Sequence, residues 1–284
     1  YNQPVMNDIK QPIKNLILDM DGVLWHGETP VPGLADFFAA LKRNQIGFIL
    51  ATNNATKTQH QYQAKLERFG VEVNIDQILT SSEATAGHIR KTHPEWRTAY
   101  VVGELGLHQA MENHGFHVLA DDVEDMTLVK ADVVVAGMTW YVCYHHLAVA
   151  NYLINHGAAY YGTNPDVTFP SEIGPMPGAG SILAFLETSS GKAPIVIGKP
   201  HAIMFDEAVR RLGGTRERTV MVGDRLNTDI AGAQSAGLRS ILLLSGISTE
   251  EDLATSNSQP TWIFHSLKEL TEALPVMINV ARES

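Results

Sequence analysis

Cysteine is almost missing: Cys143 is the single one in 284 residues. No intrachain disulfide can form, so a reducing compartment, the cytoplasm, is the default expectation. Long apolar runs are missing too. None approaches the roughly 18 residues that a membrane span needs. The stretch from Tyr1 to Lys14 is polar and lacks the apolar centre of a signal peptide. The chain opens on Tyr1, and Met6 is a candidate native start. Positive charge is scarce: 21 Lys plus Arg face 31 Asp plus Glu, a net charge of −10. That sign repels nucleic acid and anionic membrane. It leaves room for an anionic small substrate, because a local Lys or a bound metal reverses the potential inside one pocket. There is no internal repeat and no low-complexity tract.

What is present is an ordinary globular composition, 44% hydrophobic and 18% charged. It excludes disordered, collagen-like and coiled-coil chains. The length suits about two domains of roughly 150 residues. Short β-branched runs alternate with amphipathic stretches. Asn15–Asp19, Gly47–Ala51, Ile78–Thr80, Pro194–Ile197, Thr219–Val222, Ser240–Leu244 and Trp262–Phe264 read as strands. Leu34–Lys42, Lys57–Arg68 (closed by Gly70) and Ser82–Lys91 read as helices. This grammar predicts an α/β fold with a Rossmann-like, doubly wound parallel sheet. The middle repeats it separately. Ala99–Val102, His117–Leu119, Asp132–Ala136 and Ala158–Tyr161 read as strands, Leu107–His114 and His145–His156 as helices. The expected organisation is a core of residues 1–83 and 194–284, with a smaller α/β domain, 84–193, inserted. Residues 248–260 read as a loop or a short helix.

Four motifs can carry chemistry. Asp19-Met20-Asp21-Gly22 follows the first strand, where an open parallel sheet binds its ligands. Gly22 allows a sharp turn after the two carboxylates. An EF-hand is excluded, because the glycine is fourth rather than sixth and the twelfth residue is Pro30. Thr52-Asn53-Asn54 ends the next strand and offers a hydroxyl and two amides to a phosphate; a helix cap is the plainer reading. Gly198-Lys199-Pro200 supplies a point charge, or a solvated lysine. Gly223-Asp224-Arg225, then Thr228-Asp229, sets two carboxylates five apart across a strand-to-helix turn, which suits a hard cation such as Mg²⁺ or a helix cap. Each motif alone is weak. Their order along the chain, each beyond a strand, is not.

In that order the chain resembles a haloacid dehalogenase-like phosphatase. It is similar to the branch of p-nitrophenyl, phosphoglycolate, pyridoxal phosphate and nucleotide phosphatases, which carries a large α/β cap between the threonine and lysine motifs. The resemblance runs from about Leu16 to Phe264. It implies Mg²⁺-dependent hydrolysis of small phosphomonoesters, with Asp19 as the nucleophile and an aspartyl-phosphate intermediate. It implies Asp21 as general acid and then base. Mg²⁺ would lie on Asp19, Asp224 and the Asp21 backbone carbonyl, with Asp229 as a more remote partner. Thr52, Asn53 and Asn54 would hold phosphate oxygens, and Lys199 would offset the charge of Asp19 and the phosphoryl group. The charge is needed: at about 4 Å and an effective dielectric of about 20, each carboxylate–phosphate charge pair costs roughly 4 kcal/mol.

Tyr161-Gly162-Thr163-Asn164-Pro165-Asp166 resembles the cap loop of this branch, which places Asn164 and Asp166 on the substrate side; ordinary turn chemistry is the alternative. Pyridoxal phosphate phosphatases set a histidine just before the following proline. Here it is Phe169, an apolar surface suited to an aromatic or flat leaving group. Gly178-Ala179-Gly180 follows a proline and lacks the third glycine of a dinucleotide loop. Cys143, His145 and His146 sit on one predicted helix with side chains pointing apart, which does not suit zinc. Trp25 and Trp140 are candidates for shaping the pocket or for plain packing. A phosphotransferase or mutase, and a phospho-accepting signalling protein, are the alternatives to a phosphatase. Intact Asp19, Asp21, Lys199 and Asp224 argue against a catalytically silent chain. A cap-mediated dimer occurs in relatives of this kind, which makes a homodimer one candidate assembly; the sequence leaves the oligomeric state open. The substrate itself is left open among phosphoglycolate, sugar phosphates, nucleoside monophosphates and pyridoxal phosphate.

Overall fold

A computed structural model describes residues 11–279 with the exception of Glu172. Met6 lies outside the described residues. The chain forms two compact units. One takes the chain up to Thr52, Tyr62–Leu79 and the stretch from Lys199; the other takes Asn53–Gln61 and Thr80–Gly198.

The first unit is built on a six-stranded sheet. Its strands lie in the order Trp262–Phe264, Arg239–Leu243, Thr219–Gly223, Asn15–Leu18, Gly47–Thr52 and Ile78–Thr80. Numbered along the chain, that is 3-2-1-4-5-6 read from the opposite edge, the doubly wound order of dinucleotide-binding sheets. The order reverses between the first strand and the fourth. Asn15 to Leu18 pair in parallel with Thr219 to Val222 on one side and with Gly47 to Leu50 on the other. Leu16, Ile17 and Leu18 are fully buried, as a strand covered on both faces requires. Truncating one of them to Ala would cost about 2–5 kcal/mol. The helix Leu34–Arg43 turns Leu34, Phe37, Phe38 and Leu41 inward. Phe37, Phe38 and Leu41 pack in one cluster with Leu16, Leu18, Leu50, Val220 and Leu274.

The second unit holds a five-stranded parallel sheet, in the order Ile195–Val196, Ala159–Gly162, Val133–Ala136, Thr98–Val102 and His117–Val118. Numbered along the chain this is 2-1-3-4-5 from the other edge, the second common doubly wound order. Its core joins Tyr100, Val102, Val134 and Ala136 to Val149, Leu153 and Ile154 from the helix Tyr144–Asn155. The fold is thus α/β, with one parallel-sheet domain inserted into another.

Two regions depart from expectation, and a third takes the second of the two forms expected for it. The short strand near Pro194 was expected in the first sheet. It pairs with Tyr161 and Gly162 in the second, so Gly198 closes the inserted domain and Lys199 opens the return. Thr168–Ser171 and Gly174–Pro177 form an antiparallel hairpin followed by the helix Ala179–Ser190, neither of them expected. Glu250–Thr255 is a short helix with a capping box at Thr249 and Asp252. No helix among the described residues is long and apolar enough to cross a membrane.

Candidate active site

Where the strand order of the first sheet reverses, four buried charged side chains meet: Asp19, Asp224, Asp229 and Lys199. Asp19 follows the first strand and continues its ladder, its N–H donating to the Val222 carbonyl at 2.9 Å. Asp224 follows Thr219–Gly223, and Asp229 lies in a single wide turn, Leu226–Ile230. In that turn the Ile230 N–H reaches back five residues to the Arg225 carbonyl, at 3.2 Å. The turn points Asp229 inward, where its Oδ2 accepts from the N–H groups of Asp224 and Arg225 at 3.2 and 3.1 Å.

Lys199 joins the group. Its Nζ donates to Asp19 Oδ1 at 2.6 Å and to the Ala51 carbonyl at 3.1 Å, and it pairs with Asp229 Oδ1 at 2.7 Å. Burial alone would push the Lys199 ammonium down. The Asp19 and Asp229 carboxylates more than reverse this, so it is held well above its usual range and stays charged. Burial, then the neighbouring carboxylates, pushes Asp19 up against the pull of Lys199. Burial and Asp229 push Asp224 up to about 6.

Burial is the first cause of both carboxyl shifts, and the neighbouring carboxylates add to it. Asp19, Asp224 and Asp229 each offer an oxygen within 4.8 Å of the others. Three carboxyl groups face the one ammonium of Lys199, with the Arg225 guanidinium adding a lesser pull on Asp224. Asp224 supplies the sharper observation. Its Oδ2 accepts from the Ile247 N–H at 2.9 Å, while its Oδ1 is buried and accepts nothing among the described residues. An orphaned buried carboxylate oxygen is costly unless something else meets it. The backbone has been brought close to that carboxylate. Gly22, with φ +89°, and Gly246 leave no room for a Cβ against it. A buried all-oxygen donor set with an orphaned carboxylate oxygen fits a hard divalent cation.

The remaining predicted residues fall into two groups. Thr52 ends its strand, buried. The Asp21 carboxylate stands outside the buried cluster and is exposed; Trp25 Nε1 donates to its Oδ1 at 2.7 Å. Asn53, Asn164 and Asp166 meet one another in the second unit. Asn53 Nδ2 donates to Asp166 Oδ2 at 3.0 Å, and Asn164 Nδ2 to the Asn53 carbonyl at 2.8 Å. Asn164 Oδ1 also takes the Asp166 N–H at 3.1 Å, a local turn. Asn54 spends its Oδ1 on the N–H and hydroxyl of Thr56. Phe169 packs edge-on against Trp140, ring centres 5.4 Å apart. Trp25 is a side chain whose part the sequence left undecided, and the structure sets it against Asp21. Its place four residues after Asp21 was the available signal.

A carboxylate–lysine cluster beyond the strands of a doubly wound sheet can offset charge on a transferring phosphoryl group. Comparison with known proteins gives the class its name. A family model described as haloacid dehalogenase-like hydrolase matches residues 16–117, and a second, HAD-hydrolase-like, matches 196–270. The chain is 33% identical to the 5'-nucleotidase YutF of Bacillus subtilis over 92% of its length and 98% of that protein. It is 34% identical to an acid sugar phosphatase of Staphylococcus epidermidis, over 88% and 94%. Among solved structures, a 4-nitrophenylphosphatase from Thermotoga maritima superposes with a TM-score of 0.84 at 37% identity, covering 92% of this chain and 97% of that one. The chain belongs to the haloacid dehalogenase-like hydrolases, in the subfamily of the p-nitrophenyl phosphatases.

Proposed function

We propose that this phosphomonoester phosphatase works through a phosphorylated Asp19. The observation that carries the proposal is the buried Lys199–Asp19 pair at the point where the sheet reverses. Lys199 holds Asp19 Oδ1 and leaves Oδ2 to attack phosphorus. As the Asp19–phosphorus bond forms, the bond from phosphorus to the ester oxygen breaks. Asp21 delivers its proton to that departing oxygen. Asp21, now a carboxylate, takes a proton from water as the water attacks phosphorus. The Asp19–phosphorus bond breaks, inorganic phosphate leaves and both side chains return to their starting states. The Lys199 ammonium, held charged by Asp19 and Asp229, offsets negative charge on the phosphoryl oxygens throughout. We assign Thr52 to phosphate binding as well.

Mg²⁺ is our choice of cation. Asp19, Asp224 and the Asp21 backbone carbonyl would hold it, with Asp229 more remote, and it would draw charge from the phosphoryl oxygens when bound. The support is the orphaned Asp224 oxygen. Asn53, Asn54, Asn164 and Asp166 are our candidates for holding the substrate. The mutual hydrogen bonds of Asn53, Asn164 and Asp166 support this, whereas Asn54 is taken up by its own turn. The relatives' names point to nucleotides, sugar phosphates and aryl phosphates as substrates to try, and Phe169 with Trp140 supplies an apolar face suited to a flat leaving group. The proposed assembly, a homodimer, rests on the family resemblance alone.

The test is release of p-nitrophenol from p-nitrophenyl phosphate by wild type and Asp19→Asn, with Mg²⁺ and with EDTA. Turnover that needs both Asp19 and metal is expected. Turnover that survives Asp19→Asn removes the nucleophile assignment.

A further inference from the structure

The one side-chain partner of the Asp21 carboxylate among the described residues is Trp25. We propose that Trp25 is a positioning residue for catalysis: its indole N–H pins Asp21 Oδ1 and so presents Oδ2 as the oxygen that exchanges a proton with the leaving group. This rests on the reading of Asp21 as the acid.

An indole N–H donates and never accepts. The oxygen it pins is therefore held as an acceptor, and the proton of the acid form goes to the other oxygen. Without that anchor an exposed Asp21 would sample several rotamers, each placing the proton elsewhere. The hydrogen bond is short for N–H···O, at 2.7 Å.

The anchor is itself fixed. Trp25 is fully buried. Its ring lies nearly parallel to Tyr62, 6.3 Å away, and against Phe69 at 6.0 Å. Lys65 Nζ stands 4.5 Å above the ring centre and donates to the Gly27 carbonyl at 2.6 Å. That carbonyl is in the turn of the small hairpin where Trp25 pairs with Pro30. The backbone closes the loop, with the Gly22 N–H donating to the Trp25 carbonyl at 2.8 Å. Asp21 and Trp25 are thus tied at both main chain and side chain, and the tie ends in packed aromatic core. A buried tryptophan needs an acceptor for its N–H. Here the acceptor is an exposed carboxylate two residues from the nucleophile, rather than a nearby backbone carbonyl.

The experiment compares kcat/KM on p-nitrophenyl phosphate, whose leaving group needs little protonation, with glycerol phosphate, whose alkoxide needs a proton. Trp25→Phe is expected to lower kcat/KM by about 10–100-fold on glycerol phosphate and by less than about threefold on p-nitrophenyl phosphate. Asp21→Asn should show the same pattern more strongly. Adding Trp25→Phe to Asp21→Asn should then cost nothing further on the alkyl ester. Phe69→Leu, which loosens the packing and keeps the N–H, should show no dependence on leaving group.

Equal losses on both esters for Trp25→Phe, with Asp21→Asn still selective, would overturn the positioning role and leave Asp21 as the acid. Equal losses for Asp21→Asn would overturn the acid assignment, and the positioning role with it. If Trp25→Phe does not fold, the indole ¹⁵N–H resonance of Trp25 gives the answer. It should move upfield and exchange faster with solvent in Asp21→Ala; an unmoved resonance would contradict the tie.

Discussion

The six-stranded sheet and the five-stranded sheet are wound on related plans, and each reverses its strand order once. Beyond the reversal of the first, three carboxylates and a lysine converge in the interior. Beyond the reversal of the second lies a cavity of about 190 Å³, whose ionisable rim is Glu104, Asp121, Tyr141 and His146. Those groups are partly or wholly exposed and form no cluster of the kind seen in the first sheet. Glu104 instead accepts from the Thr139 hydroxyl and the Trp140 N–H, both at 2.8 Å. Doubly wound topology supplies a place for chemistry at a strand reversal; the side chains at the strand ends decide whether any happens there. Convergence is also costly. The first sheet holds an orphaned carboxylate oxygen and a wide turn, neither of which improves stability by itself.

That contrast can be broken most severely at Asp19. Asp19→Asn should lower turnover by more than about 10⁴-fold, because the amide is no nucleophile, while phosphate still binds. Steady-state rates and a phosphate titration check this. A matched change beyond the second sheet, Glu104→Gln, should leave kcat within about twofold and cost about 1 kcal/mol of stability through Thr139 and Trp140.

The orphaned Asp224 oxygen gives a second handle, on stability rather than rate. Mg²⁺ at about 100 times its Kd should stabilise the wild type by roughly 2.7 kcal/mol against thermal unfolding. Asp224→Asn should abolish this response. Asp224 is raised in the folded protein to about 6 from 3.8. The folded state therefore binds the extra proton between those values, and metal-free stability falls as pH rises through them. Metal-free Asp224→Asn should be more stable than wild type above about pH 6, by about 1–3 kcal/mol, and should lose that advantage below about pH 4. A destabilised metal-free variant at pH 8 would mean that Asp224 already has a partner.

The smallest effect lies away from the cluster, in the helix Ala202–Arg211. Burial raises Glu207, yet Arg210 and Arg211 pull it down to about 2. A depressed carboxyl contributes stability above its unfolded value, about 4.5, and loses it as pH falls toward 2. Glu207→Gln should therefore cost 1 kcal/mol or less at pH 7, since the arginine partners are partly in water. The gap to wild type should close between about pH 4.5 and pH 2, as followed by denaturant unfolding.

Much of the core was legible because its strands are buried on both faces and read as unbroken apolar runs. Asn15–Leu18 and Trp262–Phe264 stand within a residue of where the sequence predicted them. The four motifs were legible because each follows such a run. Other features depend on partners that local sequence does not name. Ile195–Val196 is two residues long, and nothing in them says which sheet it joins. Thr168–Ser171 and Gly174–Pro177 contain three prolines, which lack the N–H that marks a strand, so no strand is read there from the sequence. The inward aim of Asp229 comes from one extra residue in a turn, invisible to a 3.6-residue period. Trp25 read equally as packing, because its hydrogen bond to Asp21 depends on a hairpin of only two residues a side.

The most direct test of the account is chemical trapping of the intermediate. Wild-type enzyme is mixed with substrate and Mg²⁺, quenched within milliseconds and reduced with borohydride, which converts an acyl phosphate to an alcohol. Peptide mass spectrometry then locates the reduced side chain. The account predicts reduction at Asp19, dependent on substrate and absent in Asp19→Asn. Reduction at another carboxylate, or none during demonstrated turnover, would contradict it.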